Sequence, residues 1–120
     1  MESILTTIKK LLGITEDYTH FDGDLIVHIN SVFSILWQLG VGPAKGFAIT
    51  GVGEKWSDYL PDDSYLIEMV KSYMYLKVRL IFDPPTNGTV TESYNKLASE
   101  LESRIVYASD PVPNTTEEGA

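Results

Sequence analysis

The 120 residues predict a mainly α-helical protein. The expected form is a small four-helix, bundle-like domain over residues 1–108, with a long loop between helices two and three, followed by an extended acidic tail over 109–120. Three observations carry this. Apolar residues recur at three- and four-residue steps in four separate stretches. Each stretch has its own start and stop residues. Five of the nine glycines and two of the six prolines fall between residues 40 and 61, where no such spacing exists.

Helix one is predicted from about Ser3 to Leu12. Ser3 is its N-cap, Ile4, Leu5, Ile8, Leu11 and Leu12 form one apolar face, and Gly13 ends it. Helix two is expected to start at a cap on Asp22 or Asp24 and to run to about Leu39. Leu25, Ile29, Val32, Leu36 and Leu39 make one stripe; Ile26, Phe33 and Trp37 make a second beside it. A helix apolar on two sides is either the most buried element or faces a neighbouring subunit. Gly40 stops it.

The loop from 40 to 61 is long for a small domain, which usually marks function. A short hairpin around Phe47-Ala48-Ile49 and a helical turn around Trp56–Tyr59 are expected within it. Helix three starts at the capping cluster Asp62-Asp63-Ser64 and runs to Ile81 or Phe82. One stripe holds Leu66, Val70, Tyr73, Lys77 and Leu80, another Ile67, Met74, Val78 and Ile81. Asp83-Pro84-Pro85 terminates it. Helix four is predicted from Thr89 or Thr91 to Tyr107, with Tyr94, Leu97, Leu101 and Ile105 on its apolar stripe. The tail after it holds two prolines, three acidic groups and no cation, a composition expected to be disordered alone in water.

Composition narrows the function classes. Hydrophobic residues make up 43% and charged residues 22%, an ordinary globular balance, and no apolar run approaches the length of a membrane span. Met1-Glu2-Ser3-Ile4 lacks the basic start and cleavage site of a signal peptide, so a cytosolic setting is expected. There are no cysteines, which removes disulfides, thiolate metal sites and cysteine nucleophiles. Nine basic residues against 17 acidic ones leave a net charge of −8, against tight nucleic-acid binding but compatible with a wall along which DNA slides.

No motif assembles a catalytic or cofactor site. His20 and His28 lack a third ligand at helical spacing, and Asp22-Gly23-Asp24 is followed by Leu25-Ile26-Val27, which offers no further calcium ligand. Gly51-Val52-Gly53 lacks the Lys-Ser or Lys-Thr pair of a phosphate loop. Asp58, Asp62 and Asp63 have no base or pocket beside them and read as caps. Trp56 either anchors its loop to the core or docks on a partner; both roles suit tryptophan. Tyr65, Tyr73, Tyr75, Tyr94 and Tyr107 are more tyrosine than one core face per helix requires. Two-sided apolar helices, a long loop and an acidic tail together describe an assembly subunit better than an enzyme.

Several stretches resemble one family. They are residues 4–14 (ILTTIKKLLGI), His28–Phe33, Gln38–Pro43, Trp56–Leu60, and Tyr75–Pro85, where Phe-Asp-Pro-Pro closes a long helix. Their order and spacing over residues 1–108 resemble the head–tail connector (adaptor, or head-completion) proteins of tailed bacteriophages. The resemblance implies a structural virion protein with no catalytic site and no cofactor. Such proteins form a ring, commonly of twelve copies, beneath the portal in the virion neck, assembled in the host cytoplasm. The ring extends the DNA channel without binding DNA specifically and offers a surface to stopper or tail proteins.

On this reading Arg104, Ile105 and Tyr107, with Pro111, Val112 and Pro113 of the tail, are the expected portal contacts. Phe47, Ile49, Trp56 and Tyr59 are expected to face the stopper or a neighbouring subunit. Lys71, Lys77 and Arg79 are expected either to pair with acids across subunits or to form a solvated face. The rival reading is a small acidic helical phage protein that binds and regulates a host factor.

Overall fold

In a computed structural model of the chain, which describes residues 2–61 and 64–109, five helices occur in order: α1 (Ile4–Leu11), α2 (Asp22–Gln38), α3 (Trp56–Tyr59), α4 (Ser64–Phe82) and α5 (Gly88–Ser109). The mainly helical prediction therefore holds, with the expected turn at Trp56 forming the fifth, shortest helix. α4 is the hub. It packs on α2 and α5, and α1 closes against α2 and α4.

α1 forms because its apolar positions share one face and its ends are capped locally. The Ser3 hydroxyl accepts the Thr6 N–H at 3.3 Å. Gly13 takes φ +81°, a left-handed turn open to glycine without a Cβ clash, and the Ile14 N–H then reaches the Lys9 carbonyl at 2.8 Å. Ile4, Leu5 and Ile8 are fully buried.

α2 corrects the expected cap. The residue at its N-cap is Phe21, whose side chain makes no cap hydrogen bond, and Asp22 and Asp24 already lie inside the first turn. They favour the positive end of the helix dipole instead. Asp22 is drawn to Lys9 of α1, whose ammonium lies 2.9 Å from Asp22 Oδ1 and donates to the Glu16 carbonyl at 3.0 Å. The approach to Asp22 is ionic rather than a well-aligned hydrogen bond. Lys9 is almost fully buried, so this pair fixes the linker between α1 and α2.

The hairpin expected at Phe47-Ala48-Ile49 does not form, and no strand occurs among the described residues. A single antiparallel bridge joins Ser3 to Lys55. The backbone of Ile49 is met by a side chain: the Asn30 carbonyl oxygen accepts the Ile49 N–H at 2.8 Å, and the Asn30 amide donates to the Ile49 carbonyl at 3.0 Å. With both polar groups of Ile49 satisfied by α2, pairing with another strand has nothing to add.

α4 buries Leu66, Val70 and Tyr73 from one stripe and Ile67, Met74 and Val78 from the other. Both stripes fade near the C-terminus, where Ile81 is 57% exposed. Asp62, Asp63 and the Ser64 side chain lie outside the described residues. α5 starts earlier than Thr89 because Asn87 is its cap, accepting the Thr89 N–H at 2.8 Å through Oδ1. The core gathers α1, α2, the loop residues Val41, Ile49, Trp56 and Tyr59, and α4. From α5 it takes only Ala98 and Ile105 as fully buried residues.

Candidate assembly surfaces

The side chains expected to face partners divide between interior and surface. Ile49, Trp56 and Tyr59 are buried in the protomer, and Phe47 packs against them. Trp56 is fully enclosed, and its Nε1–H donates to Thr7 Oγ1 at 2.9 Å. Of the two roles open to this tryptophan, the structure shows the core anchor. Tyr59 stacks at tilted angles on Phe33 and Phe47, with ring centroids 4.7 and 5.3 Å away, and burial pushes its hydroxyl well above the usual tyrosine range. The loop turns outward instead at Val52 and Lys45, both exposed.

At the far end of α5, Arg104 is exposed, with its guanidinium 3.4 Å from Glu100, and Tyr107 is 85% exposed. Ile105 points the other way, into the core. The N-terminus of α4 lies at this same end, because Tyr73 of α4 bonds Glu102 of α5 at 2.8 Å and Arg79 stands over Tyr94. Tyr65, beside that N-terminus, is also 85% exposed. Its place in the fold was not legible from the sequence, where it is one tyrosine among seven. Pro111, Val112 and Pro113 lie outside the described residues.

The three cations of α4 have different surroundings. Lys71 meets Glu68 one turn away at 3.0 Å and lies 5.8 Å from the Trp56 ring. Lys77 stands 6.0 Å from the Tyr73 ring. Arg79 donates to Tyr75 Oη at 2.9 Å and to the Asp83 carbonyl at 3.2 Å, and its guanidinium lies 5.7 Å from the Tyr94 ring. The bond to Tyr75 holds the Arg79 pKa above its ordinary value.

Beside Arg79, the α4–α5 seam and the end of α1 leave an open groove of about 310 Å³, lined by Leu11, Ser72, Tyr75, Leu76, Tyr94 and Leu97. On α2 the second stripe splits: Phe33 is buried and Ile26 partly so, but Trp37 is 51% exposed, its Nε1–H donating to the Ala44 carbonyl at 2.9 Å. The isolated protomer thus completes a core and still leaves apolar helix flanks in water, in more than one place. Among the described residues no cluster of three metal-ligating side chains occurs, and no helix is long and apolar enough to cross a membrane.

The search of curated proteins and the search of solved structures each return no match. The family model described as phage connector protein, however, matches residues 4–112, a span that takes in all five helices. With a helical core, polar groups engaged in holding the fold, and apolar flanks left open, the chain belongs to the phage connector proteins, structural components of the phage head–tail junction.

Proposed function

We propose that this connector acts as one subunit of a ring seated beneath the portal in the virion neck, assembled in the host cytoplasm. The ring extends the DNA channel and presents a docking surface to the stopper or tail-completion protein. The observation that carries the reading is the surplus of open apolar flank: Tyr65 and Tyr107 at one end of the α4–α5 hairpin, and the Leu11–Leu97 groove along its seam. A closed ring needs two different lateral patches plus a coaxial one, and more than one open surface is available. The net charge of −8 suits a channel that DNA passes without sticking.

In this reading the hairpin end bearing Arg104, Tyr107 and Tyr65 meets the portal, and the tail with Pro111, Val112 and Pro113 lies along a portal groove. Ile105 supports that end from within. Val52 and Lys45 present the 40–61 loop to the stopper or a neighbour, over the base formed by Phe47, Ile49, Trp56 and Tyr59. Lys71, Lys77 and Arg79 contribute to subunit contacts.

Co-sedimentation with the portal protein, with light scattering to weigh the complex, tests this. The expected result is a multi-copy complex with portal, even if the free chain is monomeric. Deleting Ser109–Ala120 is expected to leave the helical circular dichroism unchanged and to weaken portal binding at least tenfold. Unchanged binding refutes the tail contact. Failure of the full chain to join portal at all refutes the ring reading.

A further inference from the structure

Arg79 is an ion pair with one half missing. Its guanidinium is oriented by three neutral groups, the Tyr75 hydroxyl, the Asp83 carbonyl and the Tyr94 ring; the Asp83 carboxylate acts on it only from a distance, and among the described residues no carboxylate oxygen lies within 4 Å of it. A held arginine loses little conformational freedom when a carboxylate arrives. Two of its three partners, Tyr75 and Tyr94, also line the groove at the α4–α5 seam, where Leu11 and Leu97 are each 47% exposed. Arginine and tyrosine around an apolar hollow are the composition of a binding hot spot.

The same chain carries the complementary chemistry elsewhere. Ahead of α2, Tyr18 projects from the linker with half its surface in water, its ring 5.9 Å from that of Phe21. Glu16 and Asp17 next to it in the chain are exposed, and among the described residues neither has a cation within 4 Å, Lys10 acting on Glu16 only from farther away. One surface is apolar and cationic and the other is aromatic and anionic, and the two share no residue.

We infer that the groove beside Arg79 in one copy receives Tyr18 of a second copy, with Asp17 or Glu16 of that copy completing the ion pair to Arg79. Repeated in one direction from copy to copy, a contact between two different patches is head-to-tail, the kind that closes into rings. Opposite charge on the two faces also sets register and disfavours groove-to-groove pairing. The inference rests on the ring reading above and names its lateral contact.

The absence of cysteine in the chain makes a direct test clean. Thr19→Cys, beside Tyr18, and Ser72→Cys, in the groove, are made separately, and each protein is assembled with portal alone or mixed with the other. A short bismaleimide is then added. The expected result is cross-linked pairs in the mixture and none in either protein alone. Arg79→Glu is expected to reduce the cross-link at least tenfold, and Asp17→Arg in the Thr19→Cys partner to restore it. A Ser72→Cys self-link, no link in the mixture, or a link indifferent to Arg79→Glu overturns the inference while the ring reading stands. Absence of any complex with portal, seen before cross-linker is added, overturns the ring reading and this contact with it.

Discussion

Asn30→Ala should lower stability by about 2–3 kcal/mol, because one side chain supplies both hydrogen bonds of a buried loop residue. Asn30 accepts the Ile49 N–H at 2.8 Å and donates to the Ile49 carbonyl at 3.0 Å, across 19 residues of chain. Ile49 is 2% exposed, so water has poor access to the two backbone groups once the amide is gone. A net hydrogen bond contributes about 1 kcal/mol, and a buried group left unsatisfied costs about 1–3 kcal/mol. Partial relaxation of the loop limits the sum to the range given. With a urea slope of about 1–3 kcal/mol per molar, the midpoint should fall by about 0.7–3 M. Urea unfolding followed by circular dichroism reads this, and amide exchange at Ile49 should quicken in the same variant. Ser34→Ala is the control: its hydroxyl bonds only the Asn30 carbonyl on an exposed face, so the expected change is below about 0.5 kcal/mol. If Asn30→Ala also stays within about 0.5 kcal/mol of the parent, the loop is not clamped through this residue and the argument fails.

Gly42→Ala should cost about 2–4 kcal/mol, because Gly42 has φ +94° and a Cβ there would lie 2.6 Å from Cε1 of Tyr59, a ring wedged between Phe33 and Phe47; thermal unfolding measures it. Lys9→Met should cost about 2–3 kcal/mol by stranding Asp22, less than for a fully enclosed pair since the Asp22 side chain is 23% exposed, and Asp22→Asn in the same protein should recover part of the loss. Burial opposes ionisation of Glu54, but the Thr50 N–H and hydroxyl and the Gly51 N–H outweigh it and hold the carboxyl below its usual range. A depressed folded-state value contributes stability that is complete above the unfolded carboxylate pKa and is lost as pH falls through the folded one. Thr50 and Gly51 amides should therefore exchange faster as pH drops below about 4, relative to the intrinsic rate, and Glu54→Gln should abolish that dependence.

What could be read from the residues follows the range of the forces involved. The long helices were legible because apolar spacing and punctuation are local: Ser3, Gly13 and Gly40 act on chain within a few residues of themselves. The start of α2 was misread because Asp22, a good cap by type, answers to Lys9 in another helix. The path of the 40–61 loop was hidden for the same reason. Asn30 is an ordinary polar residue on α2 until Ile49 arrives beside it. Trp56 was open between core and partner because its anchor, Thr7, lies 49 residues away. Among the proposed contacts, Ile105 and Arg104 are adjacent in sequence, yet one is buried and the other exposed, since consecutive helical residues point about 100° apart.

α5 shows why the surplus surface is a property of the architecture rather than of a few stray residues. It has 22 residues, yet only Ala98 and Ile105 are fully buried. In a folded protein most of a helix's stability comes from tertiary packing rather than from propensity. Here that contact is mostly with α4, through the partly buried Tyr94 and Leu101 and the Tyr73–Glu102 bond. The three-helix core of α1, α2 and α4 is already closed by Trp56 and Tyr59 from the loop, so α5 cannot sink further into it. Its remaining apolar side chains, Leu97 above all, therefore stay in water for as long as the protomer is alone. A second protein surface laid on the α4–α5 seam would bury them without disturbing the core, so assembly and folding make separate demands on the same helix. That separation allows a connector subunit to be complete as a folded unit and still be stabilised by its neighbours.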